Sequence, residues 1–112
     1  MDNKIIDFIN LLTNKTLKGE CIWEDDNQGY NRLVLNNGSV IFDYSFDDMI
    51  GNYHYKIQLF DTTELFASYY VDYEDNYDDQ LFTALDKLRI AIANRKEKVI
   101  NDKIQNLLND LL

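Results

Sequence analysis

The chain has 112 residues, room for one domain with one hydrophobic core, and 46% hydrophobic content is enough to fill that core without a metal or a disulfide. Twenty Asp and Glu against eleven Lys and Arg give a formal net charge of -9, which argues against direct contact with nucleic-acid phosphates or an anionic membrane. One Cys, one His and apolar runs of only a few residues leave no internal disulfide, no usual zinc ligand set and no membrane-spanning segment to expect.

Met1 to Leu12 carries Asp2 and Asp7 and lacks a small-residue cleavage site, so it reads as part of the fold and the expected location is the cytoplasm. Asp2 or Asn3 suits the cap of a short helix, whose apolar residues Ile5, Phe8, Ile9 and Leu12 recur at helical spacing. After Thr13 to Thr16 the period changes. From Gly19 to Tyr73 short runs rich in β-branched and aromatic residues predict strands near 19–25, 30–36, 39–46, 53–60 and 65–73. Asn36-Asn37-Gly38 supplies residues that tolerate positive φ, and the turn from Asp47 to Asn52 includes Gly51. Links this short permit hairpins but not helical crossovers, so the sheet is expected to be an antiparallel meander.

Alternation assigns the faces of that sheet. Val40, Phe42, Tyr44 and Phe46 share one side with Tyr53, Tyr55, Ile57 and Leu59, and with Leu65, Ala67, Tyr69, Val71 and Tyr73. Ile41, Phe60, Phe66 and Tyr70 fall on the other, otherwise polar side, which is expected either to lie under a helix or to bind something.

Asp78-Asp79 suits a helix N-terminus, and no Gly or Pro follows as far as Leu112. Leu81, Leu85, Leu88 and Ile92 form one stripe; Ile100, Ile104, Leu107 and Leu111 form a second, slightly rotated one. Unbroken, such a helix runs roughly 50 Å against about 27 Å for an eight-residue strand. It is therefore expected to bend near Asn94 to Lys98 and fold back, the other outcome being a homodimer through the C-terminal stripe. The fold class is α+β: one domain over residues 1–112, with an N-terminal helix, a four- to five-stranded antiparallel meander and a long or bent C-terminal helix.

Charge is segregated along the chain. Residues 20–82 hold fourteen Asp and Glu against Arg32 and Lys56, a net -12, while the flanking segments are slightly positive. The acids gather as Glu20, Glu24, Asp25 and Asp26, as Asp43, Asp47 and Asp48, and as Asp72, Glu74, Asp75, Asp78 and Asp79, with Tyr73 and Tyr77 among the last. Acids at alternate strand positions sit roughly 7 Å apart, comparable to phosphates along nucleic acid. Solubility explains such acids equally well. Beside tyrosines they also offer an acidic, aromatic surface for an Arg-rich protein.

Other chemistry is weaker. Glu24 to Gly29 imitates half of a calcium loop, but the twelfth place is Leu35 where a Glu is needed, so no metal or other cofactor is expected. Cys21 reads as a small core residue and His54 as a sheet histidine rather than as a nucleophile and its base. The four scattered glycines form no phosphate-binding loop.

The run Thr16-Leu17-Lys18-Gly19-Glu20-Cys21-Ile22-Trp23, T-x-x-G-x-x-x-W, resembles the opening of many small bacterial and phage proteins. The whole pattern is similar in character to phage anti-defence proteins, including anti-CRISPR proteins that mimic DNA, and to bacterial immunity proteins that neutralise nucleases through acidic faces. That likeness implies a non-enzymatic binder of a basic, nucleic-acid-handling protein, with Asp72, Glu74, Asp75, Tyr77, Asp78, Asp79, Glu24, Asp25 and Asp26 as contact residues. The alternatives are a ligand-sequestering module with a Tyr-lined pocket, in a monomer or at a dimer interface, and a minor hydrolase.

Overall fold

The computed structural model describes residues 3–25, 30–74 and 76–112. In chain order the elements are α1 (Asn3–Leu17), β1 (Glu24–Asp25), β2 (Asn31–Leu35), β3 (Gly38–Asp47), β4 (Asn52–Asp61), β5 (Leu65–Val71) and α2 (Asp79–Leu111). The strands form one antiparallel sheet in the order β1-β2-β3-β4-β5, so the expected α+β meander is the fold.

Helix α1 runs a turn past its last core leucine. The hydroxyls of Thr13 and Thr16 donate to the carbonyls of Ile9 and Leu12, which lets these β-branched residues stay buried inside a helix. Of the residues expected to cap it, Asp2 and the side chain of Asn3 lie outside the described residues. At its other end Gly19 takes φ +76°, its N–H bonds the Thr16 carbonyl, and Glu20 N–H bonds the Lys15 carbonyl. This pair of bonds stops the helix with a left-handed residue.

That stop corrects the first expected strand. Residues 19–23 form a connection, and only Glu24 and Asp25 pair with β2. The chain there is held by side chains: the Trp23 indole donates to Thr16 Oγ1 at 2.9 Å, and Cys21 packs half-buried against the core without belonging to a strand.

The tight turn between β2 and β3 stands where expected, for a different reason. Neither Asn36 nor Asn37 takes positive φ, and neither does Gly38. Glycine is required at 38 because a Cβ there would collide with the carbonyl oxygen of Phe60 on the neighbouring strand β4.

Both helices cover one face of the sheet. Leu33, Val40, Phe42, Tyr55, Ile57 and Val71 meet Ile5, Ile9 and Leu12 of α1 and Leu81, Leu85, Leu88 and Ile92 of α2 in a single buried cluster. This is the face that alternation assigned, with one correction: a register shift between Leu59 and Phe60 pairs Leu65 with Phe60 and so takes Leu65 off the helix side, and burial also fades at the strand ends, where Phe46 and Tyr73 are exposed. The opposite face carries Val34 and Tyr70 exposed, and no helix among the described residues lies over it; Phe66, expected there, lines a groove beside α1 with Ile5 and Phe8.

Helix α2 is continuous, and the expected fold-back near Asn94 to Lys98 does not occur. Nothing in that segment interrupts the helical hydrogen bonds, and Lys96 anchors it by bonding Asp25 at 2.7 Å and Asn31 at 2.8 Å. Burial along α2 ends at Ile92, and every residue from Glu97 onward is exposed. The helix therefore projects from the body, as the 54 Å longest extent reflects. No helix among the described residues is long and apolar enough to cross a membrane.

Candidate functional site

Two loops meet at one end of the sheet. In the turn between β3 and β4, Asp47 Oδ1 accepts the N–H groups of Met49 and Ile50, and the Asp47 carbonyl accepts from Gly51. In the connection from β5 to α2, Asp72 Oδ1 accepts from Glu74 and Asn76. Each aspartate thus supplies the acceptor that its own turn needs. Between the loops lies a cleft of about 120 Å³ lined by Asp47, Ile50, Asn52, Tyr53, His54, Tyr70, Asp72, Tyr73 and Glu74.

Aromatic contacts extend the cleft toward α2. The Tyr73 ring lies 4.9 Å from Tyr77 and 5.2 Å from Phe82, both edge-on, and both tyrosines remain about half exposed. Tyr77 donates its hydroxyl to Asp79 at 2.6 Å, and this bond to a carboxylate pushes the phenol up to about 12. Asp78 caps α2 by accepting from Leu81 N–H, the helix-start role expected of it. The carboxylate of Glu74 is exposed and has no partner among the described residues.

The sequence-predicted contact residues therefore separate into two groups. Asp72, Glu74, Tyr77, Asp78 and Asp79 come together at this end, joined by Asp47 from the other loop; Asp75 lies outside the described residues. Glu24 and Asp25 sit on β1 at the opposite edge of the sheet, four strand spacings or roughly 19 Å from β5, and Asp26 lies outside the described residues. Asp25 is in addition committed to Lys96. The half calcium loop from Glu24 to Gly29 falls largely outside the described residues, and no group of three or more metal-ligating side chains stands together among those described.

His54 lies on the uncovered face, on the opposite side from its neighbours Tyr53 and Tyr55, as alternation predicts. Its Nε2 contacts Ser45 Oγ and its Nδ1 lies 3.1 Å from the Tyr70 hydroxyl. Cys21 packs on the helix side, so the two do not form a nucleophile and base, and burial pushes the Cys21 thiol up, away from the reactive thiolate.

A second arrangement is invisible in the sequence. Tyr55 donates to Asp86 at 2.5 Å and accepts from Arg89 Nε at 2.8 Å, Arg89 pairs with Asp86 at 3.0 Å, and its guanidinium stacks 3.9 Å from the centre of the Tyr53 ring. Burial, then the bond to Asp86, raises the Tyr55 phenol well above the ordinary tyrosine range. The two tyrosines stand more than thirty positions from Asp86 and Arg89 in the chain, and no spacing pattern links the strand pair to the helix pair. Their contacts fix the first turns of α2 to the start of β4, and so hold the acidic end in shape.

A groove of about 490 Å³ lies elsewhere, between α1 and the opposite ends of the strands, and is lined chiefly by Ile5, Phe8, Leu35, Val40, Leu59, Phe60, Phe66 and Tyr69. Tyr69 is the only tyrosine facing it among the described residues, so it is not a tyrosine-lined pocket. Comparison of the chain with protein-family models, curated proteins and solved structures finds no match.

Proposed function

We propose that the chain is a non-enzymatic binding protein whose acidic, tyrosine-rich end occupies a basic, nucleic-acid-binding surface of another protein, in the manner of anti-CRISPR-like or immunity-type inhibitors. The observation that carries this reading is the convergence of two separate loops on one cleft, where half-exposed Tyr73 and Tyr77 stand among Asp47, Asp72, Glu74 and Asp79. Aromatic anchors surrounded by charge are what a protein interface concentrates at its energetic centre, and Arg is the natural counterpart of both carboxylate and aromatic ring. Several of these acids also serve their own turns. That duty fixes their positions and leaves their charge available to a partner.

The test compares two variants of equal net charge for binding of a labelled oligo-arginine peptide by fluorescence anisotropy. Glu74→Gln/Asp79→Asn neutralises the cleft, and Glu24→Gln/Glu64→Gln neutralises acids elsewhere. The first should weaken binding about tenfold and flatten its salt dependence, the second by no more than about twofold. Equal losses would mean that the peptide senses only net charge, and the reading would fail.

Within the same proposal, self-association occupies the projecting part of α2 and leaves the acidic end free. A ligand-binding reading is favoured by the 490 Å³ groove, whose lining is mostly apolar. It predicts a small molecule retained on purification, visible in native mass spectra and lost in Phe8→Trp, which fills the groove.

A further inference from the structure

Beyond Ile92 helix α2 leaves the body, and its two faces differ in a way that self-association explains. On one face the polar side chains satisfy each other: Lys98 pairs with Asp102 at 3.0 Å, and Gln105 donates to Asn109 at 3.0 Å. The other face carries Ile100, Ile104, Leu107 and Leu111, spaced by four, three and four residues, with Leu108 beside them; all are between 47% and 84% exposed. That spacing is the seam of a two-stranded coiled coil. Lys103 and Asp110 flank the seam on one side, and neither has a partner among the described residues.

We infer that two copies of the chain pair through this seam as antiparallel helices, about a two-fold axis passing between Gln105 and Asn106. The inference rests on the self-association proposed above and not on the identity of the acidic end's partner. In this register Ile100 faces Leu111 of the second copy and Ile104 faces Leu107, each pairing occurring twice by symmetry. A facing pair of unlike core positions is what an antiparallel arrangement requires. Lys103 then lies within two residues of Asp110 of the second copy along the axis, about 3 Å of rise, so two interchain ion pairs close the same side of the seam.

Charge and shape both select this direction over a parallel one. A parallel pair would set Lys103 beside Leu108 and bring the two bodies, each of net charge -9 with its chain, against one another at the same end. The antiparallel pair sends the bodies to opposite ends. It also brings Leu111 of the second copy beside Ile100, at the mouth of the cleft of about 420 Å³ that Ile22, Trp23, Val99 and Ile100 help to line where α2 leaves the body. The result is a molecule with an acidic end at each pole, able to engage two basic sites at once.

Sedimentation equilibrium of the full chain over micromolar concentrations should show a reversible monomer–dimer exchange. Asp110→Lys should weaken the dimer about tenfold, although it lowers the negative charge of the chain, and Lys103→Asp should do the same. The double exchange Lys103→Asp/Asp110→Lys should restore the original affinity. A chain that stays monomeric throughout overturns self-association itself. A dimer that Asp110→Lys strengthens, or that the double exchange fails to restore, overturns the antiparallel register alone. Neither result bears on peptide binding by the acidic end.

Discussion

Single residues here carry duties that the sequence discloses unevenly. Asp78 was legible as a helix-starting acid because a short acceptor before an apolar stripe has few other uses, and it caps α2. Gly38 was legible as a turn glycine but not for its real constraint, the approach of the Phe60 carbonyl, which only strand pairing creates. Gly19 combines both kinds of constraint. Its φ of +76° is costly for any other residue, and a Cβ there would lie 2.7 Å from the Arg95 guanidinium. Gly19→Ala should therefore destabilise the fold by about 1–2 kcal/mol in urea unfolding, against no penalty if the chain could simply relax.

Protonation of Tyr77 follows from its bond to Asp79. The phenol is held up to about 12 in the folded protein, above its ordinary value near 10. A raised folded value means that the proton is bound more tightly in the folded state. The contribution is thus complete below about pH 10 and is lost as pH rises toward 12. Phenolate absorbance should show two late-titrating tyrosines, Tyr55 and, before it, Tyr77; the earlier of the two should move to lower pH in Asp79→Asn and be absent in Tyr77→Phe. An unchanged titration in Asp79→Asn would mean that the bond does not form in solution.

Elements were legible where one face is buried and less so elsewhere. The four longer strands and their faces follow from period-two alternation, because a slip of one residue would expose Phe42, Tyr55 and Ile57 together. The first strand shrank to two residues because the end of α1 and the inward-turned Trp23 control that segment, neither of which strand propensity registers. The expected bend in α2 came from comparing lengths, an argument that assumes every apolar stripe must be covered by the same chain. Two substitutions on this one helix separate its halves. Ile92, 1% exposed, should cost about 3 kcal/mol on change to Ala, while Ile104, 49% exposed, should cost less than about 0.5 kcal/mol in dilute, monomeric protein. Comparable losses at the two positions would show that the C-terminal half packs on its own body.

At the scale of the molecule, the acidic balance of residues 20–82 was legible by counting, whereas its division was not. Sequence proximity gives three separate acidic clusters, but the meander carries β1 and β5 to opposite edges and brings Asp47 of the second cluster beside the loop entering α2, so the first cluster stands apart from the other two. The charge that converges there makes stability depend on salt. Asp47, Asp72 and Glu74 line one small cleft with no Lys or Arg among its lining residues, while the four ion pairs among the described residues involve mostly exposed groups. Exposed pairs contribute about 0–1 kcal/mol each and lose little on screening. Repulsion summed over a net -12 loses more, since raising ionic strength from about 0.01 M to 0.15 M shortens the screening length from about 30 Å to about 8 Å. The melting temperature should therefore rise by several degrees over that range, measured at a concentration that keeps the chain monomeric. Glu74→Gln should melt higher at low salt and gain less from added salt, because the charge it removes is exposed and among those that repel. A melting temperature that is flat or falls with salt would show that attraction outweighs repulsion across the sheet. The acids would then be paired within the fold rather than held ready for a basic partner.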